Sequence, residues 1–381
     1  MTPFSFTGPR RIIFGRGVAQ DASTLIPPLG TRVLMVRGSS VAWVDTLITA
    51  LEQSGCVVTP FVGHGEPDIE TVSRALDTGR TAAVDVVVAV GGGAVIDLGK
   101  ATAALLSGTT DILHHLEGVG AAAPLTADPL PFVALPTTSG TGAEVTKNAV
   151  ISVPDAGRKV SLRDDRMVPD IALVDPALTD GCPRSVTLAS GFDAITQLIE
   201  PYLSNRANPM TDSLVREALP QGLKALKLLS EGENKAARDG MSVASLMGGL
   251  ALANAGLGAV HGFAGVVGGR FNAPHGVICA RLLGPVLLEN NQMLQQTGAD
   301  TTRFTEIAQL VSAAFSLPSD ACFGNLGDLL DRLGVPRLSD WISADADLEA
   351  IVHEAASASS MKANPCVLPK NTLLKILESA V

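Results

Sequence analysis

Aromatic residues are scarce in this 381-residue chain: they make up 4%, with two tryptophans and one tyrosine. A core of that kind must be built mainly from Ala, Val, Leu and Ile, which argues against an aromatic-rich β-sandwich and favours α/β or helical packing. Charge is sparse as well, at 17% of residues against 46% hydrophobic, with a net charge of −10 and no basic tract. That balance argues against nucleic acid or an anionic membrane as the main partner and points to a small molecule instead. The five cysteines, Cys56, Cys182, Cys279, Cys322 and Cys366, are odd in number and lack CxxC spacing. Neither a disulfide framework nor a zinc ribbon is expected, and a reducing cytoplasm fits best. There is no apolar run of about 18 residues, so no membrane span is expected. The N-terminal Met1-Thr2-Pro3-Phe4-Ser5-Phe6 does not read as a signal peptide.

The length suggests two domains. Residues 1–179 alternate strand and helix signals, with strands at Val33–Val36, Cys56–Val58 with Phe61-Val62, and Val84–Val90, and helices at Val44–Leu51 and Ile69–Thr81. Unbroken β-branched runs joined by helices read as a parallel sheet covered on both faces. The strongest strand runs into Gly91-Gly92-Gly93-Ala94-Val95-Ile96-Asp97-Leu98-Gly99-Lys100 and then a helix through Leu106. Glycines there let backbone N–H groups approach a phosphate, and the helix start adds partial positive charge. The spacing is not GxGxxG, so the usual dinucleotide fingerprint is not met, and a plain tight turn is the competing reading.

A further strand at Pro131–Leu135 leads into Pro136-Thr137-Thr138-Ser139-Gly140-Thr141-Gly142-Ala143-Glu144-Val145-Thr146. So many short hydroxyl donors at the carboxyl end of a strand suit an anionic ligand, although a Ser/Thr-rich surface loop has the same composition. Residues 149–152 and 158–162 read as a hairpin carrying Lys159, and Ile171–Val174 as a last strand. Residues 180–381 read as helical, at 185–199, 211–229, 236–253, 302–315, 326–333, 348–357 and 371–380. The expected architecture is an α/β Rossmann-like domain followed by an all-helical one, with a small-molecule site in a cleft between them.

Candidate chemistry lies in the second half. His261 and His275, two of only six histidines, flank an apolar, glycine-rich stretch. A buried imidazole needs a hydrogen-bond partner, a metal or a substrate, because an unsatisfied polar group costs about 1–3 kcal/mol. Both could equally be satisfied core residues. Asp193 and Gln197 are four apart, so on a helix they share one face and could grip one ion. Pro201 lacks an N–H, and the helix is expected to kink or stop there.

Taken together, Gly91-Gly92-Gly93-Ala94-Val95-Ile96-Asp97, the Pro136–Thr141 loop with Glu144 and Thr146, Gly191-Phe192-Asp193-Ala194, and His261 with Pro274-His275-Gly276 resemble the motifs of the iron-containing, or group III, alcohol dehydrogenases. They occur in the family's order, from Ile13-Phe14-Gly15-Arg16-Gly17 to Asn364-Pro365. The resemblance implies a dehydroquinate synthase-like architecture, a nicotinamide cofactor, a divalent metal and a homodimer. By position, Gly91, Gly92, Gly93 and Ala94 would cradle the pyrophosphate, with Asp97 beginning the helix behind it. Thr137, Thr138, Thr141 and Thr146 would line the cofactor, and Lys159 would approach its nicotinamide ribose. Asp193, Gln197, His261 and His275 fall where the family places its metal ligands, with Asp193, His261 and His275 expected to carry catalysis.

Three departures from the family pattern matter. Gln197 stands where the family usually has histidine, leaving an Asp plus two-His set that suits Fe(II) or Zn(II). Gly265 replaces a second histidine common four residues after the first, and Ala94 replaces the usual serine. The first strand ends in Arg37-Gly38-Ser39-Ser40 without an acidic residue for a ribose 2′-hydroxyl, which favours NADP over NAD, with Gly38 and Ser39 at the cofactor. The expected reaction is hydride transfer between nicotinamide and a small alcohol, aldehyde or ketone, with the metal as Lewis acid. The competing readings are a metal-independent reductase resembling maleylacetate reductase, a lyase resembling dehydroquinate synthase, and a cofactor-binding protein without turnover.

Overall fold

The run Val86-Val87-Val88-Ala89-Val90 is wholly buried, because helices cover both faces of the sheet it belongs to. In the computed structural model, which describes residues 3–381, the chain divides into two compact units. One comprises residues 7–138 and 142–180; the other comprises 181–381 together with 139–141 and residues 3–6.

The α/β unit contains β1 (Arg11–Phe14), α1 (Ala22–Leu25), β2 (Arg32–Gly38), α2 (Trp43–Gln53), β3 (Val57–Gly63), α3 (Ile69–Thr81), β4 (Val86–Gly91), α4 (Gly93–Leu105), α5 (Ile112–His115), β5 (Phe132–Pro136), β6 (Asn148–Val153), β7 (Arg158–Arg163) and β8 (Ile171–Val174). Six strands form one parallel sheet in the order β1-β8-β5-β4-β2-β3. Alternation along each strand divides the side chains between two cores. Leu34, Val36, Val87, Ala89, Phe132 and Ala134 pack with α3 and α4. Val33, Met35, Val86, Val88, Val90, Val133 and Leu135 pack with α1 and α2 on the opposite face. The two short apolar runs around Pro60 form one strand, β3, as expected. Proline is tolerated there because β3 is at the sheet edge. The expected hairpin is β6 paired antiparallel with β7.

The order of the sheet creates a switch point. The chain leaves β2 through α2 on one face to reach β3 on its outer side, whereas it leaves β4 through α4 on the other face to reach β5 in the opposite direction. β2 and β4 are neighbours, with Arg37 opposite Val90, so the crevice beyond their carboxyl ends is where this topology places ligands.

The helical unit contains α6 (Arg184–Leu203), α7 (Pro209–Glu231), α8 (Lys235–Ala255), α9 (Ala259–Phe271), α10 (His275–Gln296), α11 (Thr302–Phe315), α12 (Leu326–Leu333), α13 (Leu348–Ser357) and α14 (Lys370–Ala380). From Gly191 to Leu203 every residue of α6 is buried, so its polar side chains must find partners inside the protein. The helix runs two residues past Pro201 instead of stopping there.

The His261–His275 stretch is most of α9 and the first residue of α10, parted by Asn272 in the left-handed conformation, Ala273 and Pro274. Apolar and glycine-rich sequence without a polar face hides helical periodicity, and these two helices were not expected from the pattern. Among the described residues no single helix is long and apolar enough to cross a membrane.

Candidate functional site

The helical unit brings Asp193, His261 and His275 together from three helices, α6, α9 and α10. Close approach of α10 to α6 depends on Gly276, next to His275, because a Cβ there would lie 2.3 Å from the Ala189 carbonyl oxygen. Asn364, in the last of the sequence motifs, fixes the start of α9 by accepting a hydrogen bond from the Ala259 N–H at 3.1 Å.

Asp193 is 2% exposed, and its Oδ1 has no hydrogen-bond partner. The Nε2 atoms of His261 and His275 stand 3.4 and 3.6 Å from that oxygen without hydrogen-bond alignment. The two imidazole centroids are 5.3 Å apart. Glu200, one turn beyond Gln197 on α6, is also buried. Its Oε1 accepts the Val260 N–H at 2.7 Å and its Oε2 lies 2.6 Å from His261 Nδ1. With the Glu200 carboxylate as acceptor, this contact places a proton on Nδ1 and turns Nε2 toward Asp193.

Burial alone would push Asp193 up, yet His275 and His261 hold it below the ordinary carboxylate value. Burial would lower both histidines, but Cys279 with Glu200 and Asp193 drives His261 well upward, and Cys279 with Asp193 raises His275 to about 9. A buried carboxylate oxygen that no donor satisfies, facing two imidazole nitrogens, is an arrangement suited to a cation. The donor set of one carboxylate and two imidazoles suits a divalent first-row metal. The residues present therefore fit the metal that the family pattern implies.

Gln197 is buried beside them on α6, and its Nε2 donates to the Gly140 carbonyl at 3.1 Å. Glu200 and Cys279 were not singled out from the sequence. Glu200 lies seven residues from Asp193, two helical turns on the same face, and Cys279 lies four from His275, one turn on the same face; both spacings are visible in the chain.

In the α/β unit, Gly38 and Ser39 stand at the end of β2, the Gly91–Ala94 turn at the end of β4, and Thr137 and Thr138 at the end of the adjacent β5. The Thr137 N–H donates to the Gly91 carbonyl at 2.9 Å, and a Cβ on Gly92 would sit 3.3 Å from Thr138 Oγ1. At Gly91 a Cβ would fall 2.6 Å from that of Val95, so glycine is what permits this turn. No side chain caps α4 at Gly92, while the Val95 and Ile96 N–H groups bond back to the Gly92 carbonyl. The N–H groups of Gly93 and Ala94, at the positive end of the helix, point out of the ladder.

Three positions expected at the cofactor have other partners. The Asp97 carboxylate accepts the Val150 N–H at 3.0 Å and so ties β6 to α4. The Thr146 hydroxyl is buried and receives a hydrogen bond from Lys100 Nζ at 2.8 Å. Lys159 forms an ion pair with Glu66 at 2.5 Å. Thr141 belongs to the segment 139–141 that packs with the helical unit. Lys100, fully buried, also donates to the carbonyls of Ala143 and Asn148, and burial pulls it down to about 8. Next to it, burial pushes Glu144 up to about 7.

Known proteins resemble this chain over its whole length. Residues 9–176 match the model for iron-containing alcohol dehydrogenase, and residues 187–381 the model for the C-terminal part of the Fe-containing alcohol dehydrogenase family. The chain is 36% identical over 303 residues to "Probable alcohol dehydrogenase EutG" of Escherichia coli K12, covering 79% of this chain and 74% of that protein. It is 34% identical over 330 residues to the 1,3-propanediol dehydrogenase of Klebsiella pneumoniae, covering 84% and 83%. A crystal structure of 1,3-propanediol oxidoreductase superposes with a TM-score of 0.89 at 28% identity, over the whole of both chains. An alcohol dehydrogenase from Oenococcus oeni gives 0.88 at 28%, likewise over both whole chains.

Proposed function

The chain belongs to the iron-containing alcohol dehydrogenase family and is an NAD(P)-dependent oxidoreductase interconverting an alcohol and an aldehyde or ketone; we propose that it does so with a divalent ion held by Asp193, His261 and His275. The observation that carries this is the buried, unpartnered Oδ1 of Asp193 facing the two Nε2 atoms. A divalent ion bound there would supply Lewis acidity toward the substrate oxygen, stabilising alkoxide charge.

The protein's own contribution is positional. Glu200 fixes the tautomer and direction of His261, as an outer carboxylate does for a ligating histidine. The glycine turn and the open N–H groups of α4 receive the cofactor's pyrophosphate, with Thr137 and Thr138 alongside. The hydride chemistry is the cofactor's own.

NADP(H) is the preferred cofactor in this reading. β2 ends at Gly38 with Ser39 and Ser40 after it, and the carboxylate of Asp45 is ion-paired with Arg37. No acidic side chain in that turn is free to bind a ribose 2′-hydroxyl. The substrate in this reading is a small or medium-sized alcohol or aldehyde. The test is a panel of aldehydes and alcohols with NADH and NADPH, using protein stripped by chelator and reloaded with Fe(II) or Zn(II). Turnover should vanish on stripping, return on reloading and be faster with NADPH at limiting cofactor. Full turnover in metal-free protein would overturn the metal assignment, and a preference for NADH the nucleotide assignment.

A further inference from the structure

We propose that Cys279 is a protein ligand of the same ion, completing with Asp193, His261 and His275 a four-donor set that Gln197 does not complete. The inference rests on the metal reading above and concerns which atoms hold the ion. Cys279 is fully buried on α10, one helical turn after His275, so its Sγ and the His275 imidazole lie on one face of one helix. The Sγ stands 3.6 Å from His275 Nε2 and 3.8 Å from His261 Nε2. One donor atom from each of the four residues lies within 4.8 Å of all the others.

The spacing can be compared with what a metal demands. Zinc takes nitrogen and oxygen donors at about 2.0–2.2 Å and thiolate sulfur at about 2.3 Å, so donors at tetrahedral angles stand about 3.3–3.6 Å apart for O–N and N–N pairs and about 3.5–3.7 Å apart for pairs that include sulfur. Two donor pairs are O–N, at 3.4 and 3.6 Å, and two are S–N, at 3.6 and 3.8 Å. Three of these four distances fall within those limits, the 3.8 Å Cys279–His261 separation lies just beyond them, and the remaining two pairs are within 4.8 Å. The nitrogen and sulfur donors surround the one buried oxygen among these residues that has no hydrogen-bond partner.

Gln197 meets the requirement less well. Its amide nitrogen is engaged by the Gly140 carbonyl, which fixes the direction of the carboxamide, and an amide oxygen is a neutral donor. A thiol loses its proton to solvent when it binds a metal, and the resulting thiolate brings a full negative charge. Such a donor shifts preference toward zinc or cobalt over a set made only of nitrogen and oxygen. Zinc can add a fifth donor, so four protein ligands leave access for a substrate oxygen.

Cobalt(II) substitution tests this with a spectroscopic readout independent of turnover. Chelator-stripped full-length protein is titrated with Co(II) in thiol-free buffer, and both bound metal and absorbance are measured. The expected result is one equivalent bound, with a near-ultraviolet thiolate-to-cobalt charge-transfer band in wild type. Cys279→Ser should lose the band and bind Co(II) at least about tenfold more weakly, since even outer contacts of a metal site are worth that much. Cobalt bound in wild type with visible ligand-field absorption but no charge-transfer band would overturn the Cys279 assignment and leave the metal site standing. A band that persists in Cys279→Ser would also overturn it. Failure of wild type to bind Co(II), Zn(II) or Fe(II) would remove the metal reading itself. Should Cys279→Ser fail to fold, the wild-type spectrum still decides.

Discussion

The proposed metal cluster of the helical unit and the glycine turn of the α/β unit are built from different parts of the polypeptide. The cluster is made of side chains: Asp193, His261, His275 and Cys279 converge from three helices, and Glu200 aims one of them. The turn is made of backbone, with Gly91, Gly92, Gly93 and the first N–H groups of α4 presented where β2 and β4 end. A side-chain site depends on residue identity, so a single substitution such as Gln197 for the usual histidine changes what it can hold. A backbone site depends on space and topology. Ala94 in place of the usual serine therefore removes a donor without altering the turn.

If that contrast holds, damage to one region should spare the other. The largest effect is expected for His261→Ala, which should abolish metal binding and turnover while nucleotide still binds; retained metal content by elemental analysis would break the comparison. Glu200→Gln should fold and bind nucleotide normally but weaken metal binding by about 10- to 100-fold, because the amide can present a donor to Nδ1 and so lose its hold on the tautomer. A competition titration against a chelator measures this, and unchanged affinity would mean that Glu200 serves only the Val260 N–H. Gly91→Ala should do the reverse. Its Cβ would meet Val95, costing about 1–3 kcal/mol of stability by urea unfolding and impairing nucleotide binding, with metal stoichiometry unchanged.

The smallest effect is a pH dependence confined to the α/β unit. The Arg166 guanidinium beside Asp164 is the main influence holding its carboxyl down to about 2, from 3.8. A depressed carboxylate contributes stability that is present above the unfolded value and lost as pH falls through the folded one. Asp164→Asn should therefore flatten the loss of stability between about pH 4 and about pH 2, and an unchanged acid limb in thermal unfolding would show that the pair contributes nothing.

The α/β unit was largely legible because its strands are unbroken apolar runs and its helices carry clear punctuation. Val84–Val90 becomes β4, and the helix expected at Ile69–Thr81 has those bounds in the fold, where the Asp68 side chain caps it. The helical unit was legible in α7 and α12, where a polar face made the period visible, and also in α6, whose second half is wholly buried. Buried on most sides, α9 and α10 have no such face, and a stretch read as glycine-rich is most of α9 and the first residue of α10.

The sequence by itself determined the residue types: a glycine turn after the strongest strand, an Asp and two histidines at family spacing, and no acidic residue after β2. Tertiary structure alone decided which of them meet. It paired Glu200 with His261 across 61 positions, set Cys279 beside His261, tied Lys159 to Glu66 and left Asp193 Oδ1 without a donor. The physical reason is that local spacing fixes only which side chains share a helical face. Which faces then confront one another follows from packing, as where Gly276 lets α10 close on α6.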